Sequence, residues 1–217
     1  MAEDEETGGC DPCFAHHLVG GHPVDRDTWR DVARFRRAER ARLLATRKLS
    51  ISDRITATRS LILALGDIVR FNPGTSLAVY WPIRGEPDLR AWMTDADAAG
   101  VRVLLPVMVT KDAPLEFHRW SPGCSMSRGL WNIPVPADGA AATPDIVISP
   151  LVGVDTHLFR LGNGGGYYDR TLASLEPMPK VIGVGLAGCQ IKTIYPMPWD
   201  IPMDAIVLSD GTVAHRR

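Results

Sequence analysis

Long apolar runs are missing from this chain, and with them the stretches of roughly 20 residues that cross a bilayer. A secretory signal is missing too: the N-terminus reads MAEDEETGG, acidic, with neither a basic nor an apolar region. Cysteine is scarce. The four present (Cys10, Cys13, Cys124 and Cys189) are scattered apart from the first pair, the usage of a reducing compartment and not of a disulfide framework. No charge dominates, since 24 basic and 25 acidic residues leave a formal net charge of -1. No overall field therefore recruits nucleic acid or an anionic membrane. No internal repeat and no Ser-His-Asp or Cys-His arrangement is visible. What remains is a cytoplasmic globular protein, expected to be a monomer with neither nucleic-acid nor membrane partners.

What is present is informative in its order. Apolar residues make up 45% of 217, enough for the core of one domain. Residues 1–27 show no periodicity and read as a dispensable disordered tail, with a single domain over 28–217. Cys10, Cys13, His16, His17 and His22 have the spacing of zinc ligands, but no second Cys-x-x-Cys follows, and no zinc site is expected. From Trp29 to about Leu49 runs a basic stretch of good helix formers. Ser50 with Asp53 is a capping signature for a second helix, which Asn72-Pro73-Gly74 ends. Strand and helix signals then alternate. SLAVYWPI, VRVLLPVMV and DIVISPLVGV read as buried strands, KVIGVGLA and DAIVLSDG as further strands, and LEFHRW as a more exposed antiparallel one. PDLRAWMTDADAAG and YYDRTLASL read as helices between them. The expected fold is α/β in three layers: a central, mostly parallel sheet flanked by helices, with an N-terminal basic helix. Such sheets bind ligands at the carboxyl ends of their strands, where Asp155 to Asp169 would lie.

That segment contains RLGNGGGYYDR, Arg160 to Arg170. Its glycines admit positive φ and let another molecule approach the main chain, and a helix starting near Tyr167 aims N–H groups at the same spot. An anion, most naturally phosphate, suits the place, with Arg160 and Arg170 flanking it; on the glycines alone, a flexible surface loop is an equal alternative. No Lys-Ser/Thr follows, as a P-loop needs, and the third glycine of a dinucleotide fingerprint is absent.

With SPLVGVD before it and PWDIPMDAIV after it, this segment closely resembles the 5-formyltetrahydrofolate cyclo-ligase family, as do YWPIRGEPDL, VLLPV, WNIPVP and GLAGCQI. The resemblance runs from near Arg36 to about Asp210. It implies an α/β enzyme that converts 5-formyltetrahydrofolate to 5,10-methenyltetrahydrofolate with ATP and Mg²⁺.

The resemblance also implies roles. Arg160, Leu161, Gly162, Asn163, Gly164, Gly165, Gly166, Tyr167 and Tyr168 would form the ATP loop, with Arg160 and Tyr168 catalytic. Asp169 and Asp200 would hold Mg²⁺ through hard oxygen ligands. Glu86 would accept hydrogen bonds from the pterin, on which Trp131 and Tyr167 could stack. Arg36 and Arg40, one helical turn apart, would take the place of a Lys and an Arg that reach the ATP phosphates. The chain departs from the family pattern at Asn163, Gly188-Cys189, Trp199 and Val135. Two alternatives therefore stand: a paralogue using ATP on another substrate, and a nucleotide-binding module without turnover.

Overall fold

The computed structural model describes residues 18–19 and 22–216. Cys10, Cys13, His16 and His17 lie outside the described residues. In chain order the elements are β1 (Leu18–Val19), β2 (His22–Pro23), α1 (Arg26–Ala45), α2 (Ile51–Ile68), β3 (Ser76–Ala78), α3 (Arg90–Ala98), β4 (Arg102–Val107) and β5 (Glu116–Arg119). There follow β6 (Met126–Arg128), β7 (Pro134–Pro136), β8 (Ile146–Pro150), β9 (Gly153–Val154), β10 (Arg160–Leu161), α4 (Tyr167–Ser174), β11 (Lys180–Gly185), β12 (Ala205–Leu208) and β13 (Val213–His215).

Seven strands form the central sheet in the order β13-β12-β11-β8-β3-β4-β5. The five inner strands are parallel, and only the edges β5 and β13 run antiparallel. LEFHRW, expected as a more exposed antiparallel strand, does run antiparallel, with Phe117 and Trp120 buried. Successive residues of each inner strand point to opposite faces. Leu77, Val103, Ile148, Ile182 and Val207 meet Leu61 and Leu65 of α2 and Trp92 and Met93 of α3 on one side. Ala78, Leu104, Val147, Val181 and Ile206 meet Leu172 and Tyr168 of α4 on the other. Both faces are covered, which is why these strands read as unbroken apolar runs.

The ends of the helices follow from local chemistry. The Ser50 hydroxyl accepts the Asp53 N–H at 3.1 Å and starts α2. Gly100, at φ 83°, ends α3 where a Cβ would be strained. α1 begins earlier than the sequence suggested, because the Asp25 carboxylate accepts the Thr28 N–H at 2.7 Å and caps it. Val24 is buried against Val32 and Met197. Residues 22–27 therefore belong to the fold, and the expected boundary at residue 27 falls inside it. A chain starting at Thr28 is expected to lose about 2 kcal/mol relative to one starting at His22, from the cap and the valine together. For a domain of this size that lowers the melting temperature by roughly 4–8 °C. Calorimetric melts of the two chains check this, and equal melting temperatures would show that neither contact matters.

α1 packs on segments that follow strand ends. Leu43 is buried with Val152, Leu161 and Ile194. Gly153 is small for this reason: a Cβ there would lie 2.7 Å from Leu43 Cδ1. The long apolar stretch read as one strand from Asp145 to Val154 breaks after Pro150, and Gly153–Val154 pairs with Arg160–Leu161 instead. The β6–β7 hairpin and β13 went unseen, each being three residues long and the hairpin proline-rich.

Candidate active site

The chain leaves β3 towards β4 on one side of the sheet and leaves β8 towards β11 on the other. The crevice beyond the carboxyl ends of β3 and β8 is thus a topological switch point, where open α/β sheets bind ligands. Two segments flank it: residues 79–86 after β3, and the glycine loop, which follows β8 through the small β9–β10 pair.

In the loop, Gly164 sits at φ 105° and Gly166 at φ 64°. Gly166 is the N-cap of α4 and supplies no side chain, so no side-chain oxygen occupies the first N–H groups of the helix. Three arginines surround the loop. Arg40 Nε donates to the Gly162 carbonyl at 2.7 Å, Arg170 Nη2 to the Gly165 carbonyl at 2.6 Å, and Arg160 Nη2 to Asp169 Oδ2 at 2.9 Å. The Arg40 guanidinium carbon lies 3.3 Å from the place a Cβ on Gly164 would take. Its terminal nitrogens donate no hydrogen bond among the described residues. Burial, with Arg36 and Arg37 nearby, pulls the Arg40 pKa below its ordinary value. A bound anion would relieve that cost.

Across the crevice, Arg84 (φ 47°) and Gly85 (φ 74°) turn the chain so that Glu86 points inward with 4% of its surface exposed. Glu86 Oε2 accepts the Ile83 N–H at 3.0 Å, and Oε1 accepts from Asn163 Nδ2 at 3.4 Å. The loop and Glu86, 77 residues apart in the chain, therefore touch. Burial raises the Glu86 pKa, opposed by the Ile83 N–H and by Arg47. Arg47, which sequence reasoning passed over, is buried, donates to the carbonyls of Leu151 and Arg84, and packs on Gly85. It fastens the 84–86 turn to the end of β8. Tyr168 lies beneath the Arg160 guanidinium, 5.0 Å from ring centre to Cζ. Burial pushes its phenol well above the ordinary value, which keeps it a neutral hydrogen-bond donor. Tyr80 is core, its hydroxyl donating to the Pro87 carbonyl at 2.8 Å.

At the rim, Trp131 is 65% exposed and meets Tyr167 edge-on at 5.7 Å. The Arg170 guanidinium covers the Tyr167 ring at 4.9 Å. Trp131 is held in the left-handed region, at φ 55°.

The acidic residues divide differently from expectation. Asp169 pairs with Arg160 beside the loop, and its second oxygen receives the Ile201 N–H at 3.4 Å. Asp200 is paired with Arg36 through both oxygens and also accepts the Met197 N–H at 2.6 Å. Asp169 fits a cation if Arg160 releases it to face phosphate. Asp200 would have to give up a two-oxygen pair with Arg36 and a short backbone hydrogen bond to do the same. The sequence expectation had placed Arg36 on phosphate and Asp200 on metal. Asp155 is a further residue missed: it is buried and accepts the N–H groups of His157, Phe159 and Ile194, tying the approach to the loop onto residue 194.

The family model of the 5-formyltetrahydrofolate cyclo-ligases matches residues 32–209. The chain belongs to that family. The 5-formyltetrahydrofolate cyclo-ligase of Escherichia coli K12 is 36% identical over 140 residues, covering 61% of this chain and 76% of that one. Its namesake from Mycolicibacterium smegmatis is 31% identical over 153 residues, covering 66% and 78%. Among solved structures, the 5,10-methenyltetrahydrofolate synthetase of Aquifex aeolicus superposes with a TM-score of 0.72 at 28% identity, over 84% of this chain and 93% of that one. The Mycoplasma pneumoniae synthetase, at 23% identity and a TM-score of 0.65, shares the fold over 79% and 97%. No helix among the described residues is long and apolar enough to cross a membrane.

Proposed function

We propose that the protein closes 5-formyltetrahydrofolate to 5,10-methenyltetrahydrofolate, with ATP converted to ADP and phosphate. The observation that carries this reading is the contact between Asn163 and Glu86, since it sets an anion-binding loop and a buried carboxylate side by side at the switch point. The loop amides and Arg40 take the triphosphate. Glu86 accepts N–H groups of the pterin, and Trp131 with Tyr167 flanks its ring. The formyl oxygen attacks the γ-phosphorus and ADP leaves. N10 then adds to the formyl carbon and gives up its proton, and the former formyl oxygen departs with phosphate, which can carry that proton away. The protein's part is to align the two ligands and neutralise charge, through Arg40, Arg160 and the loop N–H groups, with Tyr168 as a neutral donor. Magnesium, when bound, draws charge from the phosphates, and Asp169 is the residue to hold it.

The test is the appearance of methenyltetrahydrofolate absorbance with purified protein, ATP and Mg²⁺. ATP binding without product would leave a nucleotide-binding module. ADP release with another compound, but not with this folate, would make the protein a paralogue.

Glu86→Gln gives a second check. Folate affinity is expected to fall by about 1–3 kcal/mol, the cost of poorly paired buried donors, with ATP affinity unchanged. Stability should move the other way. Because burial raises the Glu86 pKa above 4.5, its favourable contribution is complete below that pH and is lost as pH rises through the raised value. The glutamine variant escapes this loss. It should melt at least as high as wild type at pH 8, with the advantage gone near pH 4. Lower stability at both pH values, with equal losses for both ligands, would make Glu86 structural.

A further inference from the structure

We infer that Arg36 and Asp200 form a latch that sets the position of Arg40, and that neither of them receives a ligand. The inference rests on the reading that Arg40 and the glycine loop take the triphosphate. Arg36 Nε donates to the Ile194 carbonyl at 2.8 Å and Nη2 to the Tyr195 carbonyl at 2.8 Å. Nη1 and Nη2 each hold one oxygen of Asp200. Four of the five N–H groups of Arg36 are thus engaged. The two side chains are 11% and 8% exposed. Asp200 is itself held in a turn, with its own N–H on the Met197 carbonyl at 2.9 Å. Taking one partner away would leave a buried charge unmatched, so a cation or a phosphate would have to break a pair that the fold already satisfies.

The latch is the polar centre of a longer clasp. The segment 194–200, between β11 and β12, grips the first half of α1. Phe35 meets Tyr195 edge-on at 5.0 Å, Trp29 meets Trp199 at 5.3 Å, and Val32 packs on Met197. Arg40 lies one turn beyond Arg36 on the same helical face and reaches the Gly162 carbonyl. A slide or roll of α1 that releases Arg36 therefore carries Arg40 off the loop. On this arrangement Trp199 and Arg36, which depart from the family's usual residues, serve the grip on α1 and not the substrate.

The test is equilibrium titration of ATP at several Mg²⁺ concentrations, on folded protein checked by thermal melts. Arg40→Ala, Arg36→Lys, Asp200→Asn and the Arg36→Lys/Asp200→Asn double variant are compared with wild type. Lysine and asparagine keep polar partners in place, so these variants are mild ones. Each latch variant is expected to weaken ATP three- to tenfold by the same factor at every Mg²⁺ concentration, and the double variant to be no worse than the poorer single. A loss in Asp200→Asn that high Mg²⁺ restores would make Asp200 a metal ligand and overturn the latch. So would losses that multiply in the double variant, or wild-type affinity in both singles alongside a weakened Arg40→Ala. Wild-type affinity in Arg40→Ala would instead sink the phosphate reading on which the latch depends. Should a latch variant fail to fold, the other single variant carries the same comparison.

Discussion

Replacing Arg40 by alanine should raise the dissociation constant for ATP by ten- to a hundredfold, about 1.5–3 kcal/mol, the range for hydrogen bonds to charged groups. Two losses combine. The guanidinium no longer offers its terminal N–H groups to phosphate, and the Gly162 carbonyl loses the donor at 2.7 Å that holds the loop in place. Folate affinity measured without nucleotide should stay near wild type, because Glu86 is fixed by the Ile83 N–H and by Asn163, not by Arg40. Removing a cation that burial disfavours should leave the melting temperature almost unchanged. Titration of ATP and folate separately reads all of this. Equal losses for the two ligands would mean that Arg40 supports the whole crevice and not the phosphate end.

Gly164→Ala should be comparably damaging for ATP, by a different route. At φ 105° an L-residue is strained, and its Cβ would lie 3.3 Å from the Arg40 guanidinium carbon, beside the group we propose to meet the triphosphate. A tenfold or greater rise in the ATP dissociation constant is expected, about 1.4 kcal/mol per factor of ten. Stability should drop by about 1–2 kcal/mol from the backbone alone. Gly166→Ala should be the milder of the two for stability, because φ 64° lies in the left-handed well that other residues visit, although its Cβ would press on Arg170 Nη1 at 2.9 Å. Thermal melts separate the strain from the binding loss. Wild-type ATP affinity in a folded Gly164→Ala protein would reduce the loop to a surface turn.

Much of this was legible beforehand, because it depends on local signals. Unbroken apolar runs in the inner strands, the Ser50 cap and the glycine at position 100 each act within a few residues of where they are read. The glycine loop stood out equally, since four glycines in five positions leave the backbone bare. What could not be read depends on distant pairing. Arg36 and Arg40 look alike on a basic helix; only the turn at 194–200 and the carbonyl of Gly162 give them different work. Asp200 looks like a free carboxylate until its partner is seen 164 residues away. Arg47, in a run of basic residues, gave no sign of burial. Asn163 looked like a departure within the loop, and its side chain turns out to reach Glu86. The Asp155 side chain had a weak local sign, an aspartate two residues before an N–H it caps, which alone does not mark a site.

The central claim is that the crevice transfers a phosphoryl group to the formyl oxygen of the folate. The measurement that tests it most directly follows that oxygen. 5-Formyltetrahydrofolate labelled with ¹⁸O in the formyl group is turned over with unlabelled ATP, and the released phosphate is weighed by mass spectrometry. One labelled oxygen per phosphate formed, matched by one methenyltetrahydrofolate and one ADP, is the expected result. Label released to water, with phosphate free of it, would contradict the account, because ring closure would then have proceeded without a phosphorylated intermediate.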